Sequence, residues 1–150
     1  MYKRQYRYFP DPDLLPLEID EETIDKIRES LPELFDAKVK RYVEDLKIKQ
    51  TDAEEISRKM EFAQYFEETI ENFSKDAQLV SNWMLSEVIA VLNRENIEIN
   101  AFHINPVRLA SLLSRIEDNT ISSKIAKDLF NQMLTNDESV DEMILSLIHI

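Results

Sequence analysis

Hydrophobic residues recur at helical spacing through almost all of the chain after Glu21. Apolar side chains three or four positions apart lie on one face of an α-helix, so this pattern predicts amphipathic helices that pack on one another. The pattern falls into segments that begin near residues 21, 36, 51, 74, 106 and 121, and a polar stretch from Thr135 leads into one more. We therefore expect an all-α protein, a multi-helix bundle of about six helices.

Polar residues at the segment starts indicate where the helices begin. Thr51 and Glu54 have the spacing of a capping box, and the apolar stripe of that helix continues through Ile56, Met60, Ala63, Phe66 and Ile70. Ser74 precedes the fourth and most apolar helix, which runs to about Arg94 and which we expect at the centre. Asn105 and Pro106 suit the cap and first residue of the fifth helix, and Asn119 suits the left-handed end of that helix.

The segment before the helices has a different character. Between Tyr6 and Leu17 it contains Pro10, Pro12 and Pro16, which restrict the backbone and remove hydrogen-bond donors. This composition predicts the end of a strand followed by an extended, proline-rich connector in front of the helical bundle.

The two ends of the chain are related through their coding sequences. Residues 1–5 can be encoded by GTG TAT AAG AGA CAG, with GTG used as a start codon, and the reverse complement of that DNA encodes Leu145 to His149. The element resembles the inverted end of a transposon-based sequencing adapter. We therefore expect residues 1–5 and 145–150 to be adapter-derived and the natural insert to run from Tyr6 to Ile144.

Composition restricts the chemistry that this chain can carry. The chain is acidic, with a formal net charge of -12, and its 43% hydrophobic residues are too many for a disordered acidic chain. It has no stretch near the ~20 apolar residues that a membrane span needs. The absence of cysteine excludes disulfides and thiolate sites, and the absence of glycine excludes a Walker loop and a dinucleotide fingerprint. A cytoplasmic protein without membrane contact is expected.

Few residues suit catalysis or metal binding. His103 is the one histidine between the two adapter-like ends, so we interpret it as a loop residue rather than part of a triad or metal site. The acidic clusters lie on polar helix faces, where charges are usually solvated. Trp83 could stack on a base, but its apolar stripe favours a place in the core. We expect no catalytic and no metal-ligating residue among the helices.

Two basic clusters are candidates for contacts with nucleic-acid phosphates. The first contains Lys38, Lys40 and Arg41, with Lys47 and Lys49 nearby. The second is the segment Ser122-Ser123-Lys124 with Lys127, where serines and lysines coincide with a helix start that favours anions. The alternative for both clusters is solvated surface, because the strongly acidic total repels a polyanion at long range.

One run near the start of the chain reads Tyr6-Arg7-Tyr8-Phe9-Pro10-Asp11-Pro12-Asp13. It resembles the Tyr-Arg-Tyr-Phe-Pro-Glu-Pro-Asp signature of the B subunits of bacterial-type aspartyl/glutamyl-tRNA(Asn/Gln) amidotransferases, the GatB family. Asp11 and Asp13 could suggest magnesium, but the stiff prolines favour an anchor at a domain junction. Lys47, Ser86 and Asn119 stand where the family often has glycine. Further motifs follow in family order: Leu31-Pro32-Glu33-Leu34, Arg41-Tyr42, Thr51-Asp52-Ala53, Tyr65-Phe66-Glu67, Ser81-Asn82-Trp83, Pro106 with Leu109-Ala110, and Ser122 to Lys127.

The resemblance implies an enzyme that converts Glu-tRNA(Gln) or Asp-tRNA(Asn) to the amide. ATP, with Mg²⁺, phosphorylates the side-chain carboxylate, and ammonia that the A subunit releases from glutamine displaces the phosphate. The partners implied are the A and C subunits and the tRNA. On this map residues 6–20 end the catalytic cradle domain, residues 21–130 form the helical domain, and residues 131–144 start a truncated YqeY-like tail.

For this piece the resemblance implies a fragment that positions tRNA and links domains, is inactive alone and binds no cofactor itself. The tRNA contacts would come from the two basic clusters. The alternative is a free-standing helical tRNA-binding or scaffold module of the YqeY-like kind without catalysis. An unrelated acidic helical protein would leave the ordered series of motifs unexplained.

Overall fold

The computed structural model describes residues 18–149, and every regular element in that range is helical. The all-α prediction is therefore confirmed. The proline-rich connector and the signature from Tyr6 to Asp13 lie outside the described residues. The chain divides into two compact units, Met1–Glu33 and Leu34–Ile150.

The first unit contains the helix α1, Glu21–Ser30, whose bounds are those predicted. The Asp20 side chain caps it by accepting a hydrogen bond from the Thr23 amide at 3.1 Å. Glu21 and Glu22 lie in the first turn and Arg28 in the last, so the charges complement the helix dipole. No side chain of α1 is buried.

The second unit contains the remaining helices. A π-helical turn, Met84–Val88, joins α5 to α6, and a 3₁₀ turn, Ile99–Ala101, precedes α7. The helices are α2 Phe35–Glu44, α3 Gln50–Ser57, α4 Met60–Asn72, α5 Ala77–Trp83, α6 Ile89–Glu95, α7 Pro106–Glu117, α8 Ser123–Met133 and α9 Val140–Ile148.

The helix predicted from Thr51 through Ile70 is in fact two helices. Lys59 has an extended backbone and separates α3 from α4. An unbroken helix would place Met60 one turn after the buried Ile56, but Met60 is 62% exposed. The break changes the phase, so that Phe62 enters the core beside Ala63 and Phe66 of the predicted stripe.

Two of the predicted caps are wrong. α3 begins at Gln50 with Lys49 as its N-cap, so Thr51 lies inside the helix and forms no capping box with Glu54. α5 is capped by Asp76 rather than Ser74, because the Asp76 carboxylate accepts hydrogen bonds from two amides of the first turn, at 2.9 and 3.2 Å. Asp is as good an N-cap as Ser, so local preference alone did not separate them.

Other local predictions are confirmed. The Asn105 side chain accepts a hydrogen bond from the Arg108 amide at 2.8 Å, with Pro106 in the first turn of α7.

α9 begins with a capping box of Ser139 and Glu142, whose Ser-x-x-Glu spacing was readable from the sequence and was missed.

Three positions with positive φ, a conformation that favours glycine, carry other residues in this chain. Lys47, Asn96 and Asn119 have φ angles of 58°, 52° and 55°. Asn96 and Asn119 follow the ends of α6 and α7, as Asn often does at helix C-termini, and the prediction for Asn119 is confirmed. A lysine in this region costs about 1 kcal/mol, which the surrounding packing offsets.

The core of the second unit lies around α4, which packs on α3, α5 and α7. The segment from α5 to α6 also contributes, with Val80, Met84 and Val88 fully buried. In α8, Ala126 and Phe130 are buried whereas Ile125 of the expected stripe is 41% exposed. Within residues 18–149 no helix is both long and apolar enough to span a bilayer.

Candidate functional site

The second basic cluster lies at the start of α8. The Ser122 hydroxyl caps the helix by accepting a hydrogen bond from the Ile125 amide at 3.3 Å. Ser123 and Lys124 occupy the first turn and are exposed. The amides of such a turn and the positive end of the helix dipole attract anions. The structure thus places these residues together in an arrangement that suits a phosphate.

The two lysines of this cluster differ in their surroundings. Lys127 Nζ lies 2.8 Å from Glu87 Oε1, and Glu87 belongs to the π-helical turn. Lys124 makes no ion pair with any residue of the described range 18–149. A phosphate that binds Lys127 has to displace Glu87, whereas one that binds Lys124 displaces no carboxylate of residues 18–149. Binding to Lys124 therefore costs less free energy.

The first basic cluster lies on α2 and is organised differently. Arg41 Nη2 lies 2.6 Å from Glu67 Oε1 of α4, and the Tyr42 hydroxyl donates to the same oxygen at 2.7 Å. The Arg41 guanidinium also lies 5.0 Å from the centre of the Tyr42 ring. Arg41 is therefore part of the joint between α2 and α4.

The protonation of Glu67 reflects this joint. Partial burial by itself would raise the pKa of Glu67, but the hydrogen bonds from Tyr42 and Arg41 outweigh it, and the charges of Arg41 and Lys38 act in the same direction. The pKa of Glu67 is therefore lower than usual. Lys40, in turn, lies 3.9 Å from Glu44 on the solvent side of α2.

Several of the sequence motifs meet in space and form packing contacts. Arg41-Tyr42 meets Tyr65-Phe66-Glu67, where the rings of Tyr42 and Phe66 also pack edge to face with centroids 5.2 Å apart. Asp52 of α3 accepts hydrogen bonds from Gln78 at 2.8 Å and from the buried Ser81 at 3.3 Å. The motifs near Asp52 and Ser81 therefore join α3 to α5.

Trp83 lies in the core, as its stripe predicted, because it is 7% exposed and packs edge to face on Phe130 at 5.9 Å. The interpretation as a base-stacking platform is not supported. His103 lies in the loop before α7, with Nε2 3.0 Å from Asp137 Oδ1.

The fit to ATP and magnesium can be tested on the described residues. Nowhere between residues 18 and 149 do three His, Asp or Glu side chains come together as a metal ion would require. A chain without glycine also lacks the backbone that cradles phosphates in a Walker loop. Residues 18–149 therefore do not fit ATP and magnesium, and we assign no chemical step to them.

A cleft of about 670 Å³ opens between the α3–α4 break and the end of α6. Phe62 and Leu92 contribute apolar surface, and the break contributes Lys59, which lies 3.2 Å from Glu98. No residue predicted as a site lines this cleft. Its rim carries both signs of charge, so charge favours neither an anion nor a cation there.

Sequence reasoning also missed Arg108. Its side chain is 17% exposed and reaches from α7 to the connection between α8 and α9. An arginine in the first turn of a helix gives no local sign of such a contact, because the partners are backbone carbonyls about 25 to 30 residues away.

Comparisons with known proteins agree with the motif series. Residues 64–147 match the family model described as the GatB domain. The B subunit of the aspartyl/glutamyl-tRNA(Asn/Gln) amidotransferase of Methylobacillus flagellatus is 47% identical over 139 residues, which cover 93% of this chain and 29% of that protein. Its counterpart in Pelagibacter ubique is 42% identical over 142 residues, covering 93% and 28%. The chain thus spans less than a third of the length of these relatives.

Proposed function

The chain belongs to the GatB domain family, and from that premise we propose that it is a segment of a B subunit of a tRNA-dependent amidotransferase, in which it helps to hold the tRNA. The observation that carries the proposal is the match of nearly the whole chain to relatives that carry this name. The start of α8 supports a tRNA contact, because Ser123 and the exposed Lys124 lie at the positive end of a capped helix.

Within this proposal the second basic cluster is the main contact, made by Lys124 and the amides of the first turn of α8, with Lys127 joining if it exchanges Glu87 for phosphate. Contacts of this kind fix the position of a nucleic acid and carry no sequence information. In the first cluster Arg41 is engaged by Glu67 and Lys40 lies 3.9 Å from Glu44, so these two side chains contribute less than Lys124.

The wider reaction is also a proposal. The parent enzyme would convert Glu-tRNA(Gln) or Asp-tRNA(Asn) to the amide in the cytoplasm, with ATP, Mg²⁺ and ammonia that a partner A subunit releases from glutamine, and with a C subunit in the complex. Because the described residues do not fit ATP and magnesium, those steps are assigned to other parts of the parent protein.

A chimeric enzyme tests the proposal. Residues 6–144 replace the matching segment of the Methylobacillus flagellatus protein, and the complex with its A and C partners is assayed for Gln-tRNA(Gln) formation. We expect the chimera to assemble and to retain transamidation. A chimera that assembles and still hydrolyses glutamine, but neither binds tRNA nor forms amide, would contradict the proposal.

The isolated chain provides a second test. We expect weak or undetectable binding of tRNA in a low-salt gel shift, because the net charge of -12 opposes a polyanion. Most of the Lys and Arg side chains among residues 18–149 also pair with a carboxylate. Tight, sequence-selective binding by the isolated chain would instead support the free-standing tRNA-binding module.

A further inference from the structure

Residues 103–115 direct three basic side chains at the connection between α8 and α9 and at the first turn of α9. Arg108 Nη2 donates to the backbone oxygens of Asn136 and Glu138 at 2.7 and 3.0 Å, and its Nη1 reaches the oxygen of Met133 at 3.5 Å. His103 and Arg115 lie on either side and contact Asp137 and Asp141. We call residues 134–139 the strap.

The end of α8 explains why an arginine is needed there. The last carbonyls of a helix require donors, and a left-handed residue after the helix usually turns the chain so that backbone amides supply them. In α8 the C-cap Leu134 is right-handed, and the strap contains no residue with positive φ. The amides of Thr135 and Asn136 both donate to the Gln132 carbonyl, which leaves the Met133 carbonyl to Arg108. Arg108 supplies a donor from another helix to this last carbonyl, and its two shorter bonds go to carbonyls of the strap. Its positive charge also suits the negative end of the helix dipole.

The three basic side chains contribute unequally. The carboxylate of Asp137 is 86% exposed and that of Asp141 is 63% exposed, so solvent screens their ion pairs with His103 and Arg115. Arg108 is mostly buried and makes charge-assisted hydrogen bonds, which are stronger than neutral ones. Its Nε is also buried and has no partner, so the two Nη atoms make all of its bonds to the strap.

We propose that Arg108 is a tertiary helix cap that closes the strap on α7 and thereby holds α9 in place. α9 buries Val140, Met143 and Ile144 and packs on α7 and α8. Its attachment therefore depends on a short apolar face and on the strap. Loss of the Arg108 contacts releases the strap and α9 while the helices around α4 stay folded. This inference does not rest on the proposed function.

Hydrogen exchange of the whole chain, measured peptide by peptide, tests the inference in Arg108→Gln. Glutamine keeps part of the stem but cannot donate to three carbonyls at once. We expect exchange in residues 134–148 to rise about tenfold, with exchange in residues 60–83 unchanged. Unchanged exchange in residues 134–148, or an equal rise throughout the chain, would overturn the proposal.

Matched variants separate the cap from a general loss of charge. Arg94→Gln removes a guanidinium that pairs with its exposed neighbour Glu95, and should leave every segment unchanged. Arg115→Gln should raise exchange in residues 134–148 less than Arg108→Gln does. If Arg108→Gln does not fold, Arg108→Lys decides, because an ammonium satisfies fewer of the carbonyls. It should raise exchange in residues 134–148 alone, and wild-type exchange there would refute the cap.

Discussion

Arg41 of the first basic cluster and Lys124 of the second have opposite surroundings in the structure. In the first, Arg41 bonds to a half-buried carboxylate of another helix and shares it with the fully buried Tyr42. In the second, Lys124 is exposed at the start of α8 and makes no ion pair among residues 18–149. Arg41 pairs with a carboxylate of the folded protein and so helps to stabilise the fold, whereas Lys124 has no such pair and is available to a ligand.

Several of the sequence motifs form packing contacts in the same way as Arg41 does. Arg41-Tyr42 and Tyr65-Phe66-Glu67 form one joint, and Asp52 and Ser81 form another. These motifs therefore specify how the helices pack. At the start of α8, by contrast, Ser123 and Lys124 are exposed, so the experiments below aim to separate this segment from the joint at Glu67.

The largest effect is expected from Glu67→Ala, which removes the acceptor that Arg41 and Tyr42 share. We expect a loss of about 2 kcal/mol in the free energy of unfolding by urea denaturation, because the Tyr42 hydroxyl loses this acceptor while its ring stays buried. Glu68→Ala is the control, since Glu68 is exposed and its carboxylate accepts a hydrogen bond from the side chain of Gln64 on the same helix. Equal losses in the two variants would mean that the joint does not stabilise the fold.

Ser122→Ala should cost about 1 kcal/mol by the same measurement, because it removes the side-chain cap of α8. Ser123→Ala removes the neighbouring hydroxyl, which caps nothing, and should change stability by less than about 0.5 kcal/mol. If the two serine variants behaved alike, the cap at the start of α8 would be wrong.

Lys124→Ala in the chimeric enzyme should raise KM for tRNA about threefold without changing kcat. It should also reduce the slope of log Kd against log salt by about the amount that one phosphate contact contributes. Lys40→Ala is the matched control, because Lys40 is an exposed lysine of the first cluster that faces Glu44. A larger effect of Lys40→Ala than of Lys124→Ala would reverse the roles that we give to the two clusters.

The smallest effect concerns pH. Because the pKa of Glu67 is lower in the folded protein than in the unfolded chain, its ionised form stabilises the fold at pH values above the unfolded pKa of about 4.3. This stabilisation is lost as the pH falls through the folded pKa. The difference in stability between wild type and Glu67→Gln should therefore be present at pH 7 and shrink in acid. A difference that stays constant down to pH 3 would show that ionisation of Glu67 is irrelevant.

Predictions from the sequence succeeded for features that depend on neighbouring residues. The bounds of α1, the cap at Asn105 and the left-handed Asn119 follow from local backbone preferences. The burial of Trp83 follows from its place on an apolar stripe. The GatB resemblance followed from motifs in order along the chain. The domain bounds at residues 20 and 130, and the origin of the two ends, stay predictions.

The sequence by itself determined an all-helical chain and its family, because helix periodicity, caps and ordered motifs are properties of short segments. Only the tertiary structure decided the phase change at Lys59, the engagement of Arg41 by Glu67 and the capping of α8 by Arg108. Each of these depends on which helix faces which. Glu67 lies 26 residues from Arg41, and the carbonyls that Arg108 reaches lie 25 to 30 residues from it, beyond the reach of any local pattern.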